Sequence, residues 1–202
     1  MDALAEAHEG WEDGRVREQA GELLARRGEL ETLLQGIDVQ GLHAAISRYH
    51  GDFHLWRVLV VQGDVFITGL QGPPRSEPIK HSPLRDVASL LCSLELAARQ
   101  ARRLAPNQSP PITALIKEGL ERWLEAAHQA VLDGYREGIA GCPSYPQDPR
   151  QAGQLIRLFM LEQRLHELEL AIVHPAADRA RCFDALSLTL QSLAHMQGGA
   201  AT

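Results

Sequence analysis

Tyr49-His50-Gly51-Asp52-Phe53-His54-Leu55-Trp56-Arg57 is the stretch that decides the fold, because a hairpin pattern follows it at once. Two β-branched runs, Val58–Val61 and Val65–Ile67, flank the turn Gln62-Gly63-Asp64. Such runs on both sides of a glycine turn are typical of a β-hairpin. The sequence therefore predicts a loop with one central carboxylate, Asp52, that leads into a short hairpin.

The rest of the chain has the pattern of helices, with apolar residues at steps of three or four. Predicted helices cover about 14–34, 39–46, 83–104, 112–138, 153–173 and 178–196. Between the hairpin and the third of these, residues 69–83 hold too many glycines and prolines for a regular element, so an irregular loop is expected. Ser82-Pro83 suits the helix start that follows. The predicted fold class is mainly α, or α+β overall, with one short β-hairpin.

At 202 residues the chain is long enough for one domain with a sizeable core. We predict a single domain over 1–202. Its parts are N-terminal helices at 1–47, the loop, hairpin and irregular segment at 48–82, a helical core at 83–197, and a tail at 198–202.

Charge and cysteine content narrow the function classes. Lysine plus arginine number 20 against 26 acidic residues, and no stretch gathers the basic ones, so nucleic acid is not an expected partner. Cys92, Cys142 and Cys182 are odd in number and widely spaced, which argues against a disulfide framework or a zinc site. Neither a leader pattern nor a run of about 18 apolar residues occurs, so no membrane association is expected. We expect a soluble, cytoplasmic protein.

Several segments together resemble the maltokinase family, which is often fused to trehalose synthase. They are Tyr49–Leu59, Gln71–Pro74, Lys80–Ala88, Val131–Arg136, Leu155–Glu162 and Leu165–Leu168. The resemblance implies a fold like that of aminoglycoside phosphotransferases and protein kinases, of which this chain would be the C-terminal lobe, with the N-terminal lobe absent. It also implies the family's activity, which is phosphorylation of maltose with ATP and magnesium.

The resemblance assigns roles to individual residues. It implies a catalytic base at Asp52, loop-bracing residues at His50 and Asp86, and a possible substrate cleft lined by His54, Glu162 and Glu167. General grounds offer other roles for four of these residues: a loop-capping carboxylate for Asp52, an acid of the first helical turn for Asp86, and a solvated helix face for Glu162 and Glu167. For His54 the alternative is a core or loop-bracing histidine.

The family's metal positions carry residues that do not bind metal. Where the family reads HGDYHLGQ, its final amide corresponds to Arg57, and where it reads DFEGEP, its first acid corresponds to Gly69. An arginine has no lone pair to donate and a glycine has no side chain. We therefore expect no metal and no cofactor, and Mg-ATP only if a separate N-terminal lobe completes the protein. Arg57 could act like an arginine finger or form a salt bridge with Asp52 or a neighbouring acid.

Three functions stay open at this point. The chain can be a degenerate, inactive kinase lobe that binds a sugar such as maltose or a protein partner. The alternative is an active maltose 1-phosphotransferase completed by a separate lobe. The third is a segment whose only property is folding. If the hairpin side is exposed around Val58, Val60, Phe66 and Ile67, a homodimer or a protein partner is expected to cover it.

Overall fold

In the computed structural model the described residues are 1–35, 46–69, 80–104, 109–146, 148–174 and 178–199. The helices are α1 (Asp2–Ala7), α2 (Gly14–Ala25), α3 (Arg27–Gln35), α4 (Leu84–Arg103), α5 (Pro110–Ile139), α6 (Pro149–Val173) and α7 (Arg179–Gly199). The strands are β1 (Ser47–Arg48), β2 (Val58–Val61), β3 (Asp64–Ile67) and β4 (Lys80–His81). The mainly helical fold class is confirmed.

The predicted hairpin is present as β2 and β3, which pair antiparallel with Val58 opposite Ile67. Its two turn residues both have positive φ, 53° at Gln62 and 90° at Gly63. Two such residues are the mark of a type I′ turn, whose twist matches that of the strands it joins. Gly63 is therefore the residue that makes the tight connection possible.

A second strand pair was not predicted. β1 pairs antiparallel with β4, with Ser47 opposite His81 and Arg48 opposite Lys80. The prediction of an irregular loop over 69–83 was therefore wrong near its end, since Lys80 and His81 are strand residues. Positions 70–79 of that loop lie outside the described residues, as do positions 39–45 of the predicted second helix.

The N-terminal helix prediction was wrong in one respect. The single helix expected over 14–34 is two helices, α2 and α3, that break at Arg26, where φ is −90° and ψ is 9°. Gly28, two residues later, has weak helix propensity, so little opposes the break. At the other end of the chain, the predicted tail begins too early, because α7 continues to Gly199.

The chain divides into two compact units. One consists of Met1–Leu42 with Met160–Thr202, and the other of His43–Phe159. In the first, buried side chains of α2, α6 and α7 form a core that includes Leu23, Leu161 and Leu186. In the second, α4 packs against α5 and buries Leu84 and Leu91. The prediction of one domain stays a prediction.

None of the described helices is both long enough and apolar enough to span a membrane.

Candidate functional site

The loop that contains Asp52 is hydrogen-bonded to the beginning of α4. Asp86, in the first turn of that helix, accepts a hydrogen bond from the amide of His50 at 2.6 Å with one oxygen and from the amide of Gly51 at 2.9 Å with the other. Gly51 has φ of +83°, a conformation that favours glycine. Asp86 therefore contacts two amides of the loop, and it also lies where a carboxylate stabilises a helix N-terminus, so its bracing role stays a prediction.

His50 ties the loop to the end of the hairpin. Its Nε2 donates to the carbonyl of Thr68 at 2.7 Å, and its Nδ1 accepts from the amide of Asp52 at 3.2 Å. A ring that donates from one nitrogen and accepts at the other is neutral and carries its proton on Nε2. The imidazole of His50 thus links the backbone of Asp52 to the backbone of Thr68, which precedes Gly69.

Ser93 is an anchor that sequence reasoning missed. Its hydroxyl accepts from the amide of Leu55 at 3.1 Å and donates to the carbonyl of Leu90 at 2.7 Å. The carbonyl of His54 also accepts from the amide of Arg57 at 2.8 Å. A serine on a helix that otherwise buries apolar residues is the signal that could have found it.

Both oxygens of Asp52 are engaged by neighbouring side chains. Arg57 donates to Oδ2 from Nε at 3.1 Å and from Nη2, and Nε2 of His54 lies 3.2 Å from Oδ1. The hydrogen bonds from Arg57 lower the pKa of Asp52 below its ordinary value. The carboxylate is therefore ionised and paired at neutral pH. This contact is the salt bridge that the sequence suggested for Arg57.

Arg57 also lies against Gly69. A β-carbon added at Gly69 would stand 3.1 Å from Cζ, Nε and Nη1 of Arg57, and Gly69 has φ of +85°. The carbonyl of Arg57 accepts from the amide of Thr68 at 2.9 Å, which fixes the two positions next to each other. The guanidinium thus lies between the carboxylate of Asp52 and the backbone of Gly69.

The described residues bring no three histidine, cysteine or acidic side chains together in a way that could hold a metal ion. His54 is largely buried, and its Nδ1 has no hydrogen-bond partner within the described ranges. His54 and Arg57 contact different oxygens of Asp52, His54 the Oδ1 atom and Arg57 the Oδ2 atom.

The two glutamates of the predicted substrate cleft belong to the other unit. Glu167 accepts from Nη1 of Arg164 at 2.9 Å and from Nε2 of Gln163 at 3.3 Å. The side chain of Arg164 is 3% exposed, so this pair is nearly buried on its basic side. Glu162 is exposed. The structure does not test whether they share a cleft with His54, which stays a prediction.

Comparison with known proteins identifies the fold. No protein-family model matches the chain. A structure of glucosamine kinase in complex with glucosamine, ADP and inorganic phosphate matches 95% of this chain with a TM-score of 0.67 and 19% identity. Two further crystal forms of glucosamine kinase match 99% and 97% of the chain with the same TM-score, at 18% and 19% identity.

The chain spans less than half of the kinases it matches, since it covers 42%, 46% and 44% of their chains. The TM-scores show that the fold is shared, and identities below 20% leave the activity of this chain open. The architecture is therefore that of a kinase-like fold that is mainly helical.

Proposed function

We propose that this chain is a maltokinase-like lobe that has lost metal-dependent phosphoryl transfer and acts as a binding module for a sugar or a protein partner. The observation that carries the proposal is the position of Arg57, which is hydrogen-bonded to Asp52 and lies against Gly69. A fixed guanidinium stands where the resemblance puts the groups that hold magnesium.

The donor set does not fit a magnesium ion. Magnesium needs oxygen ligands in near-octahedral geometry at about 2.0–2.1 Å. Arg57 supplies only N–H donors and a positive charge, and Gly69 supplies no side chain. Among the described residues no three histidine, cysteine or acidic side chains come together here, and the oxygens of Asp52 already contact Arg57 and His54. A divalent cation would have to displace an arginine of the same charge sign.

Loss of the metal removes most of the chemistry. Metal ions supply several kcal/mol of charge stabilisation to phosphoryl transfer, and about 1.4 kcal/mol corresponds to a factor of ten in rate. A base such as Asp52 does not replace this term, because phosphoryl transfer depends mainly on positioning and electrostatic stabilisation. The supported loop therefore serves a structural or binding role.

The hairpin provides the surface for a protein partner. Val60 is 71% exposed, Val65 63% and Phe66 53%. A two-stranded hairpin is marginally stable when nothing covers it, and no other described strand pairs with either edge of this one. Contiguous apolar surface of this kind is typical of an interaction site. We therefore propose a homodimer or a protein partner on the hairpin.

Calorimetric titration tests the loss of transfer. We expect no turnover of Mg-ATP with maltose or glucosamine and no magnesium-dependent binding of ATP. Arg57→Gln, Gly69→Asp and the double variant are the matched set. Turnover by the unmodified chain would overturn the proposal.

A second candidate is an active maltose 1-phosphotransferase completed by a separate N-terminal lobe. The observation that favours it is the full support of Asp52, by Asp86 through the neighbouring amides and by His50. Such support of Asp52 is what a working base requires, because the carboxylate has to be held in position. Magnesium-dependent turnover that appears only when a second polypeptide is added would establish this alternative.

A further inference from the structure

A pocket of about 570 Å³ lies within the first unit, beside the beginnings of α2 and α7. Its volume is within the range of small-molecule sites, about 300–1,000 Å³. It is lined by an indole, three carboxylates and a guanidinium. These belong to Trp11, Glu12, Asp13, Asp178 and Arg179.

Arg179 is fixed in place and still has donors to offer. Its Nε donates to the carbonyl of Ala171 at 2.9 Å, and its Cζ lies 4.9 Å from the ring centroid of Trp11. Trp11 in turn packs against Phe183, with ring centroids 6.2 Å apart. No hydrogen bond within the described ranges uses Nη1 or Nη2 of Arg179. The guanidinium of Arg179 is thus fixed by the hydrogen bond from Nε and by its stacking on Trp11, while Nη1 and Nη2 face no hydrogen-bond partner within the described ranges.

Acceptors line the same pocket. Asp13 caps α2 with Oδ1, which accepts from the amides of Arg15 at 2.9 Å and Val16 at 3.3 Å. Its Oδ2 takes part in no hydrogen bond within the described ranges. Glu12 is exposed at the rim. The pocket therefore combines preorganised donors and acceptors around an aromatic side chain.

The charges of this lining select among ligands. The carboxylates of Glu12 and Asp13 beside the single guanidinium disfavour an anion. A cation would prefer the face of Trp11, but Arg179 already stacks on that ring. A neutral ligand with many hydroxyl groups matches both sets, because each hydroxyl can donate to a carboxylate and accept from a guanidinium.

We propose that this pocket binds a neutral polyol of one or two sugar rings. The inference deepens the sugar-binding part of the proposed function and rests on it, while the loss of phosphoryl transfer is argued from a different set of residues. It makes the pocket, rather than the loop around Asp52, the place where sugar is held.

Gly10 offers a way to fill the pocket. It is one of the lining residues, and a β-carbon added there would meet nothing within 4 Å. Gly10→Phe should therefore be accommodated without a backbone clash, and a large side chain at this lining position should narrow the pocket. Gly119→Phe is the matched control, since Gly119 lies in α5 of the other unit and is equally unobstructed.

The test is titration with maltose and with glucose, followed by calorimetry and by tryptophan fluorescence in a variant that keeps Trp11 and carries Trp56→Phe and Trp123→Phe. We expect saturable binding that Gly10→Phe and Arg179→Gln each weaken by about tenfold or more, while Gly119→Phe leaves it unchanged. Circular dichroism and the urea midpoint check that each variant is folded. If Gly10→Phe does not fold, Arg179→Gln decides alone.

Two results would overturn the inference. Sugar binding that survives both pocket variants would place the sugar elsewhere and leave the proposed sugar-binding function standing. No saturable binding of either sugar by the unmodified chain would remove the sugar ligand altogether. Neither result bears on the loss of phosphoryl transfer, which the Mg-ATP titration tests separately.

Discussion

Arg57 and Gly69 are sterically coupled, because a β-carbon at position 69 would lie 3.1 Å from three atoms of the Arg57 guanidinium. The guanidinium of Arg57 can keep its present position only if residue 69 has no side chain. Any larger residue at position 69 would require Arg57 to move. A change at one of them therefore has a different effect with and without the change at the other.

The first prediction follows from this coupling. Gly69→Asp combined with Arg57→Gln should bind Mn²⁺ at least about tenfold more tightly than the unmodified chain, because it removes a cation and adds an oxygen ligand beside Asp52. Calorimetry or electron paramagnetic resonance of Mn²⁺ measures it.

Gly69→Asp alone is the control for that prediction. With Arg57 in place, the new carboxylate should form an ion pair with the guanidinium and gain little metal affinity. The positive φ of 85° adds strain of about 1 kcal/mol for a residue other than glycine. Equal Mn²⁺ affinity in the double variant and the unmodified chain would contradict the assignment of these two positions.

The second prediction concerns the support of the loop by Asp86. Asp86→Asn should lower the free energy of unfolding by about 1.5–3 kcal/mol, the range for hydrogen bonds to a charged group. The asparagine side chain keeps one oxygen that can accept a hydrogen bond. Its NH₂ group would face the backbone N–H of either His50 or Gly51, which is also a donor. Urea unfolding measures the loss, with Asp64→Asn in the hairpin as the control.

Hydrogen exchange separates the two roles of Asp86. If it braces the loop, Asp86→Asn should speed exchange at the amides of His50 and Gly51, which donate to it. If it serves only as an acid at the start of α4, the loss is about 0.3–1 kcal/mol and those amides keep their protection.

The third prediction is a pH dependence at Asp52. Hydrogen bonds from Arg57 lower its pKa in the folded protein, so its contribution to stability is present above the unfolded pKa of about 3.9 and is lost as pH falls through the lower folded value. Asp52 is 55% exposed and Arg57 38%, which limits the contribution to about 0–1 kcal/mol.

A double-mutant cycle with Asp52→Asn and Arg57→Gln measures that contribution. At pH 7 the coupling energy should be positive and below about 1 kcal/mol, and it should decrease as pH falls through the folded pKa of Asp52. If Arg57→Gln left that folded pKa unchanged, Arg57 would not be the cause of the lowered value. NMR titration of the Asp52 carboxyl carbon gives an independent reading.

The fourth prediction concerns Tyr135 in α5. Burial raises its pKa to about 12, and its hydroxyl is buried without a hydrogen-bond partner in the described part of the chain. Because the folded value lies above the ordinary one of about 10, stability should fall as pH rises from about 10 to 12. Ultraviolet titration should show one tyrosine that ionises late.

Tyr135→Phe is the informative variant for this prediction. It removes a hydroxyl that has no partner, so the free energy of unfolding at pH 7 should stay the same or rise. The late-ionising tyrosine should disappear. Tyr145→Phe, which changes the ring that packs edge-on against Tyr135 at 6.0 Å, should leave a late-ionising group in place.

Sequence periodicity predicted the long elements and failed at short ones. The hairpin and α4–α7 follow from their patterns, but β1 and β4 have two residues each and therefore no period to detect. The break at Arg26 depends on backbone geometry that no spacing of apolar residues records.

α6 shows why the buried face of a helix is harder to predict than the helix itself. Leu165 stands on the three- and four-residue spacing of apolar residues that predicts this helix, yet it is 41% exposed, whereas Arg164 is buried. Apolar spacing therefore locates the helix better than it identifies each buried side chain.

For the loop, motif spacing brought out Asp52, His50 and Asp86, because their residue types carry the resemblance. Ser93 and Thr68 were missed, since the first acts through a backbone amide and the second contributes its carbonyl. Backbone partners of this kind leave little trace in a single sequence.

The last prediction concerns the hairpin surface. Leu59 lies opposite Phe66 and Val60 opposite Val65, so each face of the hairpin presents an exposed apolar cross-strand pair. If a second copy covers this surface, the unmodified chain should be dimeric at micromolar concentration in size-exclusion chromatography with light scattering. Phe66→Lys or Val65→Lys should then yield a monomer, since a charge in the covered pair is costly to bury.

The two lysine variants also distinguish the faces, because Phe66 and Val65 point to opposite sides of the hairpin. Leu115→Lys in α5 is the control, since Leu115 is 66% exposed and lies outside the hairpin. A dimer that dissociates only with Leu115→Lys would move the interface to α5. A monomeric unmodified chain would rule out the homodimer and leave a different protein as the partner of the hairpin.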